Sequence, residues 1–341
     1  MVASAVSKSK AALRGIRPFN PVRDLYAVAH LLEEAFRADH TFPLADLPFL
    51  REVGVFLWTL NYAPMFPETI TGFVWVEDGR VVGNVTITQD EARFERYLIS
   101  NVAVKPAYQR QGIARQLTLA ALDDLRIRGA KTALLNVRPT NPGALELYRD
   151  LGFKEIEMRG EWSSPLSPLP PSPSPVAQFS IRIGGRGLGV GGEVRPLRSS
   201  DTSAASDLIR AATPAHVQPY RTRRNDFALA WDDRIVEAVS DFFIGQVTHR
   251  WALEQDSKLA ALTLVRAQRI TSPHRIAIKV HPDFRGRVEN DLVAYALRDL
   301  MQFPSREIRA AATSTHPELI AALEQQGFRF WNGLTLMARE V

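Results

Sequence analysis

The sequence predicts a mixed α/β protein made of two copies of one fold. Three observations lead there. Segments whose apolar residues recur at helical spacing are interleaved with segments whose apolar residues alternate, so helices and strands are mixed along the whole chain. Asp78-Gly79 separates two alternating runs, and both residues tolerate the positive φ that a tight hairpin requires. The chain also repeats itself. Ile16-Arg-Pro-Phe19 returns as Val194-Arg-Pro-Leu197, Trp75 as Trp251, Val104-Lys-Pro as Val280-His-Pro, and Gly152-Phe153 as Gly327-Phe328, at offsets of 175 to 178 residues.

In chain order, Ile16 to Phe19 reads as a short strand and Val22 to Arg37 as a helix with Leu25, Val28, Ala29, Leu32 and Phe36 on one stripe. An apolar, aromatic stretch, Leu44 to Met65, follows. Thr71 to Val76 and Arg80 to Gln89 flank the hairpin turn. Tyr97 to Val104 is the next strand, ended by Pro106, which has no N–H to give a ladder. A helix reaches about Arg128 and closes at Gly129. Thr132 to Val137 is a buried strand, Asn141-Pro142 opens a short helix to Asp150, and Gly152-Phe153 leads into a strand to about Trp162.

The Pro/Ser segment 163–175 can form neither helix nor ladder and is expected as an extended loop. The second copy closes with a strand, an Asn332-Gly333 turn and a strand from Leu334 to Arg339, so the first copy should close likewise, with Gln178 to Ile183 as its last strand. The expected division is a disordered lead-in at 1–14, a first domain at 15–184 with 163–175 inserted in its final hairpin, a Gly-rich linker at 185–193, and a second domain at 194–341.

Composition narrows the function classes. With 341 residues, 45% of them hydrophobic, the chain can hold two globular domains, and no run approaches the roughly 18 to 20 apolar residues of a membrane span. The lead-in lacks an apolar core of secretory length, so a cytoplasmic location is expected. Cys is absent, which excludes disulfides, thiolate zinc sites and an acyl-cysteine intermediate. The net charge of +5 is scattered, with only Arg221 to Arg224 grouped, and that group reads as a solvated loop rather than a nucleic-acid site.

The chemistry gathers at Asn101 to Ala121. Val102 and Val104 alternate as in a strand, and from Gln111 the residues Ile113, Leu117, Ala120, Ala121 and Leu125 follow helical spacing. The first N–H groups of such a helix have no internal partner and carry the positive end of its dipole, which suits a phosphate group. Gly112 permits close approach to the backbone, and Arg110 and Arg115 add positive charge.

The loop reads Gln109-x-x-Gly112-x-Ala114, followed by Leu134 to Val137, Asn141, Tyr148 and Gly152-Phe153. In that order and spacing, residues 15 to about 184 resemble the GNAT acyltransferase superfamily, whose pyrophosphate loop is (Arg/Gln)-x-x-Gly-x-(Gly/Ala). The resemblance implies two tandem GNAT folds, each a mostly antiparallel twisted sheet flanked by helices. It also implies an acyl-CoA donor, acetyl-CoA by family habit, direct transfer to an amine and no metal. On that basis the backbone of Val102, Ala103 and Val104 would align the pantetheine arm. Gln109, Arg110, Gln111, Gly112, Ile113, Ala114 and Arg115 would hold the pyrophosphate, and Leu44 to Met65 would shape the acceptor side.

Asn141 is either a helix cap followed by Pro or a pantetheine contact. Tyr148 matches the tyrosine that protonates the leaving sulfur, although it also fits an apolar stripe with Ala144, Leu147 and Leu151. Asp90, Glu91, Glu95 and His40 are candidate bases that the sequence does not separate. The acceptor is expected to be a small-molecule amine ahead of a protein, with neither nucleic acid nor membrane as a partner, in a monomer or homodimer. In the second copy the loop becomes Arg285-Gly-Arg-Val288-Glu289-Asn290, and Leu323 stands at the position of Tyr148. That copy is therefore expected to be non-catalytic. A non-catalytic acyl-CoA sensor is the alternative for the whole chain, with a dinucleotide-binding enzyme a third choice.

Overall fold

The computed structural model describes residues 14–35, 71–90, 93–165, 181–183, 192–220, 227, 241, 245–255, 258–270 and 272–341. His40, Leu44 to Met65, Glu91, Arg221 to Arg224, most of the lead-in and most of the Pro/Ser and Gly-rich segments lie outside them. The chain forms two compact units. One takes residues up to Asn136, Pro142–Lys154 and Met337–Val341, and the other takes Val137–Asn141 and Glu155–Leu336.

The first unit carries β1 (Gly15–Pro18), α1 (Pro21–Ala35), β2 (Thr71–Glu77), β3 (Arg80–Gln89), β4 (Arg96–Val104), α2 (Ile113–Ile127), β5 (Thr132–Val137) and α3 (Pro142–Asp150). Its strands lie in the order β1-β2-β3-β4-β5, antiparallel except for the parallel β4–β5 pair. Asp78 and Gly79 turn the hairpin at φ 49° and 76°, the geometry that matches the twist of the flanking strands. Ile113, Leu117, Leu122 and Leu125 of α2 are almost fully buried, each leucine contributing roughly 1.5–3 kcal/mol. That packing fixes where the start of α2 sits.

The second unit carries β6 (Lys154–Ser164), β7 (Ile181–Ile183), β8 (Gly192–Pro196), α4 (Thr202–Ala212), β9 (Gln246–Gln255), β10 (Lys258–Gln268), β11 (His274–Val280), α5 (Glu289–Leu300), β12 (Ile308–Thr313), α6 (Pro317–Gln325) and β13 (Arg329–Glu340). β8 to β12 repeat the pattern of β1 to β5, three antiparallel steps and then a parallel one. The corner after the first strand is repeated too. Arg17 holds Asp24 at 2.6 Å in one unit, and Arg195 holds Asp201 at 2.7 Å in the other. Among the described residues no helix is long and apolar enough to cross a membrane.

Two expectations need correction. β7 is paired, but with β8 (Ile181↔Val194), so it does not close a hairpin with β6. β6 instead runs antiparallel to β12 within the second unit, with Thr313 opposite Arg159. Conversely, Met337–Val341 belong to the first unit, where the Arg339 side chain donates to the Leu151 carbonyl at 2.5 Å and Val341 N–H to that of Lys131 at 3.2 Å. Repetition marks the copies, whereas the ladders decide which strands pack together, so the compact units depart from the linear bounds at 184 and 194.

The Asn332-Gly333 turn is also not made, since β13 runs unbroken from Arg329 to Glu340. Asn332 accepts the Gly333 N–H with its side chain at 2.8 Å. A Cβ on Gly333 would stand 3.0 Å from the Phe330 ring, so this glycine serves a close approach inside a strand.

Candidate active site

β4 departs from a regular ladder just before the loop. Asn84 of β3 faces Ala103, and two positions on, Thr86 faces Ser100, three positions back along β4, so β4 carries one extra residue here. Asn101 takes φ 52° at this bulge, a left-handed conformation that asparagine tolerates better than other side chains. β4 pairs with β5 only from Arg96↔Thr132 to Ile99↔Leu135. Val102, Ala103 and Val104 thus stand beyond the end of that pairing.

The chain then turns through Pro106–Tyr108 and enters α2. The Gln109 side chain donates to the Val104 carbonyl at 3.0 Å, bracing the loop against the strand. Arg110 has φ 62°, and Gly112, the residue before α2, has φ 78° with open space where a Cβ would be. Gln109 to Gly112 are exposed, Ile113 is buried and Ala114 half-buried. Among the described residues, no acceptor meets the N–H groups of Arg110 to Arg115. Arg115 lies 3.5 Å from Asp150, both largely exposed. Such a pair is weak and screened, so the guanidinium stays available to a ligand.

Tyr148 lies on α3 with its ring buried and set edge-on against Phe153, centroids 5.9 Å apart. Burial pushes its phenol up to about 12, which keeps it protonated near neutrality. Asn141 immediately precedes α3 and donates its N–H to Arg138 at 3.0 Å. Of the candidate bases, Asp90 accepts from the buried Arg96 at 2.8 Å, and Glu95 pairs with Lys131 at 2.7 Å. Asp90 therefore neutralises a buried cation.

In the second copy the corresponding corner is filled. Val288 is 1% exposed and part of the main apolar cluster, and Leu323 is equally buried. Glu289, 3% exposed, accepts the Val288 N–H at 3.2 Å and meets His316 Nε2 at 2.9 Å. Burial alone would raise its pKa. His316 and the backbone N–H groups of Glu289 and Gly286 outweigh it and hold the carboxyl below the usual glutamate range. His316 precedes Pro317 as Asn141 precedes Pro142. Arg285, in the place of Gln109, is tied to the Ala212 and Thr315 carbonyls at 2.8 and 3.0 Å.

Similarity to known proteins agrees with this geometry. Residues 25–153 match the acetyltransferase (GNAT) family. The chain is 34% identical over 139 residues to the ribosomal protein bS18-alanine N-acetyltransferase of Escherichia coli, covering 40% of this chain and 78% of that protein. It is 38% identical over 99 residues to the mycothiol acetyltransferase of Rhodococcus erythropolis, covering 29% of this chain and 30% of that protein. A GCN5-related N-acetyltransferase structure from Sphaerobacter thermophilus superposes with a TM-score of 0.58 at 15% identity over 95% of both chains, a likeness of fold. An enzyme relative shared over most of its own length makes this chain a member of the GNAT family of N-acetyltransferases.

Proposed function

We propose that the first copy transfers an acyl group, acetyl from acetyl-CoA, directly to an amine, and that the second copy is non-catalytic. The observation that carries this is the set of N–H groups from Arg110 to Arg115, around the left-handed Gly112, that meet no acceptor among the described residues. These groups suit a pyrophosphate, because N–H donors at a helix start meet its charge without reorganisation. The edge of β4 beyond Ile99 suits the amide-bearing pantetheine arm.

The reaction forms a C–N bond and breaks a C–S bond. The amine loses a proton to solvent or a base, and the departing sulfur gains one. A phenol near 12 is a weaker acid than a thiol near 8.5. Tyr148 therefore delivers its proton as the C–S bond breaks, and does not hold it on a free thiol.

In the second copy Glu289 supplies an internal carboxylate to the same kind of helix start, and Leu323 supplies no proton. Both features support a silent site. For the acceptor, the sequence favours a small-molecule amine. The name of the relative 34% identical to this chain brings forward a second reading, the terminal α-amine of a protein. A screen of both acceptor classes with acetyl-CoA, reading free thiol beside a Gly112→Glu control, tests the reading. Turnover should appear with one class and vanish in the control. Turnover that survives the added charge separates the activity from this loop.

A further inference from the structure

We propose that Thr86 selects the acceptor by donating its hydroxyl hydrogen to an oxygen carried beside the reacting amine. The acceptor is then an amine with a carbonyl or hydroxyl oxygen on the carbon next to the one that bears nitrogen. This deepens the acyl-CoA reading of the first copy and rests on it.

A hydroxyl offers two lone pairs and one hydrogen. At Thr86 both lone pairs are taken, because Asn84 Nδ2 donates to Oγ1 at 3.2 Å and Asn101 Nδ2 donates to it at 3.3 Å. The Asn84 amide, 1% exposed, is held in that setting by the Asn101 carbonyl, to which it also donates at 3.0 Å. What is left to Thr86 is its hydrogen, which meets no acceptor among the described residues. With the Asn101 amide turned over, the hydroxyl would bond to its oxygen and the amide N–H groups would face out. The outward group is a donor in either setting.

The surroundings give that donor room. Asn84 lies opposite Val74, which packs on Val28, Leu31 and Leu32 of α1, so Asn84 and Thr86 both face the α1 side of the sheet. There Thr86 stands between Gly72 of β2 and Ser100 of β4, one residue with no side chain and one with a short one. Gly72 has φ 148°, and a Cβ on it would overlap the Val85 carbonyl oxygen, which keeps the position bare. Thr86, Ser100 and Asn101 are half-buried rather than sealed. Ser100 follows Ile99, the last β4 residue paired with β5, so the donor is level with the point where those strands part and one strand away from it. Adjacent strands lie roughly 4.8 Å apart, a distance that an N–C–C–O unit and one hydrogen bond can span. The second copy has closed the same place. Leu262 and Leu264 occupy the corresponding row, Leu264 between Arg250 and Ala277, and both leucines are buried against α4.

The test is steady-state turnover by the full chain with acetyl-CoA and three probe amines: glycinamide, 2-aminoethanol and propylamine, which has no oxygen. In wild type, kcat/KM per unprotonated amine should be about tenfold or more higher for one oxygenated probe than for propylamine. Preference for glycinamide assigns a terminal α-amine, and preference for 2-aminoethanol assigns a small amino alcohol. Thr86→Val should bring the ratio to within threefold of unity with the KM for acetyl-CoA within threefold of wild type, and Thr86→Ser should retain the ratio. Wild type that uses propylamine as well as either oxygenated probe would overturn the inference without any variant. A Thr86→Val protein that keeps the preference would overturn it, as would one that loses acetyl-CoA affinity together with all three amines. No turnover of either oxygenated probe by protein that binds coenzyme A would overturn it and leave the loop reading standing. Protein that does not bind coenzyme A would overturn both.

Discussion

The two helix starts, at Gly112 and at Val288, come from one repeated pattern and reach opposite electrostatic states. At the first, a left-handed glycine leaves exposed N–H groups with nothing among the described residues to receive them. At the second, Val288 is driven into the core, and the neighbouring Glu289 turns its carboxylate onto the loop's own amides and onto His316. A helix start has one need, negative charge and acceptors. The need can be met from outside, which makes a ligand site, or from within, which makes a cap. The fold tolerates both because α2 and α5 are anchored by their buried apolar faces.

Making the first start resemble the second should have the largest effect. Gly112→Glu places a carboxylate where the pyrophosphate is proposed to sit and forces a side chain into φ 78°. We expect kcat/KM for acetyl-CoA to fall by roughly a hundredfold or more, about 2.7 kcal/mol. The strain should cost stability only about 1–2 kcal/mol, read as Tm. A large loss of activity with a small fall in Tm supports the comparison, and retained coenzyme A affinity would break it.

Tyr148→Phe comes next, because it removes what Leu323 lacks and leaves the loop intact. A fall in kcat of roughly 10² is the scale of one general acid, with KM for acetyl-CoA unchanged. Since the wild-type phenol titrates only near 12, the alkaline limb of the pH–rate profile below about pH 11 should keep its position in the variant. A shifted limb would show that another group depends on Tyr148. An unchanged kcat would remove it from the mechanism.

Much of this was legible in the sequence because it depends on residue type at fixed spacing. Pro106, Gly112, the stripe of α2 and the repeat offsets all express local backbone rules. The bulge was not legible. Asn84 and Asn101 lie 17 residues apart, and only pairing of β3 with β4 brings the Asn84 side chain to the Asn101 carbonyl. The single Asn on each strand carries no periodic signal, although the Leu262 counterpart could have marked the difference once registers were known. Unit membership was hidden for the same reason. β6 and the last residues of β13 choose partners by long-range ladders, and the Asn332-Gly333 pair imitates a turn while serving a close contact.

The smallest expected effect concerns the internal cap. Glu289→Gln keeps side-chain acceptors and donors near Val288 and His316 but removes the charge. The expected loss is about 1–3 kcal/mol, measured by thermal or denaturant unfolding at neutral pH. The folded carboxyl is held below its ordinary value, so its stabilisation is present above the unfolded pKa and is lost as pH falls through the folded one. The gap between wild type and variant should therefore close on acidification below about pH 4.5. Acetyl-CoA turnover should be unchanged, because the residue belongs to the silent copy. A gap that widens in acid would mean that Glu289 is protonated at neutral pH, and the second helix start would then have no internal anion to set against the first.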